Sequence, residues 1–191
     1  MEANVLIALA RGFEELEAIS VIDVLRRAGC NVVVAKVDDV IAMEDSNRIV
    51  ESQKGVKVVA DVLLSEVSSK SLEGIVLPGG WEGVQNLIAS SSLGKILDTL
   101  NTERKVIAAI CAAPLALFKH NLLKTQSFTC YPSIQKMIDN PNYQGNFNVV
   151  EDGHIITSRG PATALEFAFY LVRIFMGEQK AKEIQEEMLA L

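Results

Sequence analysis

Short apolar runs alternating with helical stretches constrain this chain more than any other feature. "NVLIALA" from Asn4 has no polar alternation, as expected of a strand covered on both faces. "LEAISVIDVLRRAG" follows, with Ala18, Val21, Leu25 and Ala28 at helical spacing and Gly29 as a stop signal. "NVVVAKV" reads as a second strand, and a polar excursion from Asp38 to Lys54 leads to "VKVVAD" and then "GIVLPGG". Helical "VQNLIAS" and "SLGKILDTLNTER" precede the strand "VIAAI", which ends at Ile110, and "APLALFKHNLL" reads as the next helix. This alternation marks βαβ units and predicts an α/β fold: a doubly wound, mostly parallel sheet sandwiched by helices.

The C-terminal third adds a local variation. "FNVVEDGHIIT" holds two β-rich runs joined by Asp152-Gly153, which predicts a small antiparallel hairpin. "PATALEFAFYLVRIFMG" has Pro161 at its start and Gly177 at its end, and is apolar on most faces, as a buried helix would be. Ile184, Met188 and Leu191 then fall on one stripe of a packed tail. No repeat, low-complexity segment or linker divides the chain, so residues 1–191 are expected to form one domain, which at this size buries about 70% of its unfolded surface.

Composition removes several function classes. A net charge of -6 and no dense Lys/Arg run leave no electrostatic footprint for nucleic acid or an anionic membrane. The run Val5–Ala10 is too short for a signal h-region, and Val106–Phe118 is too short to span a bilayer, so a soluble, cytoplasmic protein is expected. Cys30, Cys111 and Cys130 are odd in number and irregularly spaced, with no C-x-x-C and no adjacent His, which argues against zinc and a disulfide framework. No G-x-G-x-x-G follows the first strand, so no dinucleotide is expected.

In open α/β sheets, sites form outside the carboxyl ends of the strands. The segments there are Arg11-Gly12-Phe13-Glu14-Glu15-Leu16-Glu17 after the first strand, Pro78-Gly79-Gly80 after "GIVL", and Cys111 after "VIAAI". Ala109 and Ala113 flank Cys111 two residues away on either side, meeting the steric demand of a nucleophile elbow. A cysteine at a helix start also meets free N–H groups that lower its pKa from about 8.5. Free cysteines are often simply buried, so packing remains the alternative for Cys111. Glu14 and Glu15 read as solvated acids favoured by the helix dipole, whereas Glu17, between Leu16 and Ala18-Ile19, is placed to enter the cleft, where desolvation raises a carboxyl pKa. Gly79-Gly80 offers unobstructed N–H groups to an anion at the sulfur, or else is only a tight turn. Cys130 reads as packing or as a resolving thiol, Cys30 as packing, and His120 and His154 as lying outside any catalytic motif.

"GFEELEA" from Gly12, "DVLRRAG" from Asp23, "VLPGG" from Val76, "AAICAAP" from Ala108, "TSRGP" from Thr157 and "EFA" from Glu166 together resemble the ThiJ/PfpI superfamily. The resemblance runs nearly end to end and is closest to the branch of the Parkinson's-disease-associated deglycase and its bacterial relatives. It implies a flavodoxin-like fold, usually a homodimer. It implies a reactive, readily oxidised Cys111, a protonated partner at Glu17, and an anion cradle from the backbone of Gly79, Gly80 and Ala112, with Arg159, Gly160 and Pro161 lining the pocket. The implied activity is cysteine-dependent and needs neither cofactor nor metal. It is the detoxification of α-oxoaldehydes, either by glyoxalase-like hydration of methylglyoxal to lactate or by deglycation of aldehyde adducts. The alternative is an oxidative-stress sensor or redox-regulated chaperone, using the same two side chains. Two departures stand out. Protease-like members carry His directly after the nucleophile, where this chain has Ala112, which argues against a peptidase. "FTCYP" puts Tyr131 where the human-like branch has a pocket His; a phenol, ordinarily titrating near 10, can donate a hydrogen bond but is a poor base at neutral pH.

Overall fold

The computed structural model describes residues 3–40 and 48–190. In chain order the elements are β1 (Asn4–Leu9), α1 (Glu15–Arg27), β2 (Asn31–Lys36), β3 (Ile49–Glu51), β4 (Lys57–Val59), β5 (Val62–Leu63) and β6 (Gly74–Leu77). They continue with α2 (Trp81–Ala89), α3 (Ser91–Thr102), β7 (Val106–Ile110), α4 (Pro114–Lys119), β8 (Val149–Asp152), β9 (Ile155–Ser158), α5 (Ala164–Met176) and α6 (Glu178–Glu187).

Val5 to Leu9 are all buried, which puts β1 inside the sheet. It pairs in parallel with β2 on one side (Val5↔Val32) and with β6 on the other (Ile7↔Val76). β7 follows beside β6 (Leu77↔Ala109), then β9 (Ile110↔Ser158), giving the strand order β5-β2-β1-β6-β7-β9-β8. β8 alone runs antiparallel, forming the expected hairpin with β9, its turn one residue later than expected at Gly153-His154. The direction of winding reverses between β1 and β6: the crossover through α1 carries the chain to one side, and the crossovers through α2, α3 and α4 carry it to the other. Right-handed connections then place α1 and α2 on opposite faces and open a crevice at that point. α1 packs against α5, α5 against α6, and α2 against α4.

Three expectations need correction. "VKVVAD" does not join the parallel sheet: β4 pairs antiparallel with β3 in a separate ribbon (Ile49↔Val59, Glu51↔Lys57). Lys57 and Val59 are exposed, so the run has no second face to bury. The Asp61 carboxylate accepts the Val34 N–H at 2.9 Å, occupying the edge of β2 until β5 pairs with Ala35 and Lys36. Secondly, the helix expected over 113–123 is only six residues long. Asn121 takes φ 65°, and the Leu122 N–H reaches the Leu117 carbonyl at 2.9 Å, a left-handed cap that ends the helix and turns Leu122 and Leu123 inward. Thirdly, α5 is buried on one side only, with Leu165 46% exposed. Residues 41–47 of the polar excursion and Leu191 of the C-terminal stripe lie outside the described residues, while Ile184 is buried as expected.

Phe167 of α5 is fully buried in the layer shared with α1. Phe167→Ala is expected to lower stability by roughly 3–5 kcal/mol, against about 0.5 kcal/mol or less for Leu165→Ala, as measured by urea unfolding.

Candidate active site

Cys111 is the first residue after β7 and takes φ 64°, a left-handed conformation uncommon for a side chain other than glycine. Its backbone is pinned there: the Cys111 N–H donates to the Ser158 carbonyl at 3.0 Å, and the Tyr131 N–H donates to the Cys111 carbonyl at 2.8 Å. Buried Ala109, Ala112 and Ala113 leave room for the turn to close. The backbone N–H groups of Gly80 and Ala112 donate to the sulfur.

Glu17 arrives from the opposite side, on the first turn of α1. Glu14 caps that helix by accepting the Glu17 N–H at 2.8 Å, which fixes where the Glu17 side chain leaves the backbone. The Glu17 carboxyl is wholly buried and its Oε2 accepts the Gly79 N–H at 2.7 Å. Oε1 is buried without a partner in ordinary hydrogen-bond geometry, and Cys111 is the side chain that acts on the carboxyl. Gly79 is required between them. A Cβ there would stand 2.6 Å from Glu17 Oε2, 2.7 Å from Cys111 Cβ and 3.1 Å from Sγ. At Gly80, φ is 88° and a Cβ would collide with the Gly12 carbonyl.

Burial pushes the Glu17 carboxyl up to about 7, the charge of Glu14 adds to it, and the Gly79 N–H and Cys111 thiol hold it back. Burial also pushes the Cys111 thiol up, and the facing Glu17 charge pushes it further. This reverses the lowered pKa expected from a helix start alone. The Gly80 and Ala112 donors do act in the lowering direction, but desolvation and the carboxylate outweigh them. The pair titrates as a unit, and with the proton on Glu17 the repulsion of the thiolate disappears.

Cys111 is 9% exposed and forms part of the wall of a cavity of about 430 Å³. Gly80, Ala112, Tyr131 and Pro161 line that cavity too, whereas Glu17 and Gly79 lie behind the sulfur. Arg159 and Gly160 line a neighbouring cavity that shares Tyr131, Ser133 and Pro161 with the first. Sequence reasoning missed Glu14, Gln53, Trp81, Ser133 and Ile134. Glu14 is not a solvated acid: it is 8% exposed, it lines the cavity, and burial raises its pKa. Its capping position before an apolar helix stripe was the available signal, and Trp81 directly follows Gly79-Gly80. Gln53 carries no such local cue; its N–H donates to the Phe13 carbonyl, bringing it in from beside the ribbon. His120 faces the Leu87 carbonyl (3.1 Å) and His154 faces Asn101 Oδ1 (2.9 Å), so neither serves the sulfur. Cys30 and Cys130 are buried, their thiols pushed up to about 11 and about 12 by desolvation. Among the described residues no group of three His, Cys, Asp or Glu is placed to hold a metal ion, and no helix is long and apolar enough to cross a membrane.

The sequence profile of the DJ-1/PfpI family matches residues 3–174. The chain belongs to the DJ-1/PfpI family. Drosophila melanogaster dj-1beta is 38% identical over 190 residues, covering 99% of this chain and 98% of that protein, and its crystal structure superposes with a TM-score of 0.92. The structure of oxidised Toxoplasma gondii DJ-1 is 37% identical with a TM-score of 0.90, covering 98% of both chains. A Caenorhabditis elegans relative named glutathione-independent glyoxalase DJR-1.2 is 33% identical over 172 residues, 90% of this chain and 87% of that one. The DJ-1/PfpI relationship accounts for the α/β architecture and for the motifs after β1, β6 and β7 falling at one sheet edge.

The Glu17 carboxyl, raised from 4.5 to about 7, has a stability signature. The fold tolerates it fully below pH 4.5, where it is neutral in both states, and stability is lost as pH rises through about 7, because ionisation favours the unfolded chain. Glu17→Gln is therefore expected to stabilise the protein by roughly 3 kcal/mol at pH 8 and by almost nothing at pH 4. Thermal unfolding at the two pH values checks this; an equal effect at both would contradict the raised carboxyl.

Proposed function

We propose that the protein is a cysteine-dependent, cofactor-independent glyoxalase of reactive α-oxoaldehydes. The observation that carries this is the Cys111 sulfur facing the buried Glu17 carboxyl, with the Gly80 and Ala112 N–H groups as donors, at the wall of an open pocket. The glyoxalase name of the Caenorhabditis elegans relative supports it.

The thiol proton passes to the Glu17 carboxylate as sulfur attacks the aldehyde carbon of methylglyoxal. The oxygen that gains charge is held by backbone N–H groups, and protonation gives a hemithioacetal. Glu17 then takes the proton from that carbon and returns it to the neighbouring carbonyl carbon, while the hydroxyl proton passes to the neighbouring oxygen, leaving a thioester of a 2-hydroxy acid. Water cleaves the thioester, releasing lactate and the thiol, so the net change is the addition of one water. The same thiol attack on an early aldehyde adduct would release the amine, which is the deglycation version. On this proposal the protein works as a cytoplasmic homodimer, and exposed Leu16 and Ile19 on α1 are apolar surface that an interface would cover. Lactate formed from methylglyoxal without glutathione is the test: wild type produces it, and Cys111→Ala and Glu17→Gln fall by about 100-fold or more. Lactate no faster than in buffer would end the proposal, and activity retained by Cys111→Ala would end the mechanism.

A second reading, an oxidation sensor or redox-regulated chaperone, is favoured by the same donors, since two N–H groups and a protonated Glu17 suit a sulfinate as well as an alkoxide. The Toxoplasma gondii relative was solved oxidised. Mild peroxide is then expected to oxidise Cys111 ahead of Cys30 and Cys130 by peptide mass spectrometry. Equal modification of all three would exclude the sensor.

A further inference from the structure

We infer that Arg159 forms a carboxylate-binding subsite beside the Cys111 cavity, so that the preferred substrate is a 2-oxoaldehyde carrying a carboxylate a few bonds from its aldehyde. This rests on the proposed aldehyde chemistry and narrows its substrate class.

The second cavity, about 670 Å³, opens past the shared wall of Tyr131, Ser133 and Pro161, and the two together far exceed what methylglyoxal fills. Arg159 is the one cation that lines it. Arg11, Arg26, Arg27, Arg48 and Arg173 each face a carboxylate within 3.7 Å, and Arg104, which does not, is exposed beside the Gly153 turn and lines neither cavity. The Arg159 guanidinium, half-buried, has no hydrogen bond or ion pair to any described residue in a chain of net charge -6, and its charge acts on the Tyr143 phenol. Glu166, the acid that reaches Asn148 of this cavity's wall, accepts that residue's amide at 2.8 Å.

The position suits a ligand that spans both cavities. The Cys111 N–H is bonded to the Ser158 carbonyl, so Arg159 is the next residue along from the nucleophile's own backbone partner. Polarity sets the direction. Glu14 lines the inner cavity and Glu17 backs the sulfur, which keeps an anionic end out of the inner pocket and leaves the aldehyde to enter it. A single planar guanidinium matches a carboxylate bidentately, whereas a doubly charged phosphate calls for several cations, and Ser133, Asn148 and Thr163 are neutral.

Two measurements test this. In turnover, kcat/KM for 4,5-dioxopentanoate should exceed that for its methyl ester by about tenfold or more in wild type, and Arg159→Gln should bring the ratio near one while Arg159→Lys keeps part of it. In binding, followed by NMR titration of wild-type protein, unreactive 4-oxopentanoate should bind better than its methyl ester, a preference lost in Arg159→Gln. Turnover of both aldehydes without preference overturns the subsite and leaves the glyoxalase proposal standing. Turnover of neither while methylglyoxal is still converted overturns the substrate class inferred here; if methylglyoxal is not converted either, the glyoxalase proposal falls and binding decides the subsite, which equal binding of acid and ester, or a preference that survives in Arg159→Gln, overturns.

Discussion

The site depends on one contact: the Gly79 N–H held at 2.7 Å by a carboxyl that water does not reach. Glu17 comes from α1, Gly79 from the end of β6 and Cys111 from the end of β7, and the three meet because the missing Cβ of Gly79 leaves them room. Any side chain there would separate the acid from the sulfur or push β7 away from β6. The Glu14 N–H donating to the Gly79 carbonyl at 3.0 Å closes the same joint from the other direction, so α1 is tied to the β6 loop at two points. The crevice between β1 and β6 is therefore a rigid seam at the position where catalytic groups sit.

That seam is costly. A carboxyl buried with one unpartnered oxygen opposes folding, and the apolar sheet around it offsets this. Non-glycine residues at positive φ are found at turns and helix ends in this protein, at Arg104, Asn121 and Leu189, where the chain reverses in the open. Cys111 adopts it in a buried turn instead, fixed by bonds to Ser158 and Tyr131. A positive φ kept at a reactive group, and among the described residues at no other buried side chain, fits a site held by its surroundings.

Much of this was legible in the sequence because the decisive signals are local. Unbroken apolar runs of four to six residues fix β1, β2 and β7 as interior strands, and residues after β1, β6 and β7 are brought to one edge by topology alone. What sequence did not disclose depends on partners distant in the chain. "VKVVAD" is as β-prone as the true sheet strands, and only the occupation of the β2 edge by Asp61 and then β5 explains why it pairs elsewhere. The early stop of α4 turns on Asn121 taking a left-handed conformation, a choice its sequence permits but does not force. Glu14 was misplaced for a related reason. A charged residue in a first turn ordinarily faces water, and what covers this one comes from the segments around Gln53 and Trp81.

The direction of the Cys111 shift bears on which electrophiles such a site can attack. A thiol kept protonated near neutral pH presents little free thiolate, so it reacts only where its proton can leave as the new bond forms, and Glu17, titrating near 7, is the group placed to receive it. Histidine does not contribute, because His120 and His154 are occupied elsewhere. Such coupling favours electrophiles that build negative charge on an oxygen within reach of Gly80 and Ala112, as a carbonyl does when sulfur adds to it and a peroxide does on the oxygen that leaves. Aldehyde addition and oxidation of sulfur are thus two outcomes of one arrangement, and the electrophile that enters the cavity first decides between them.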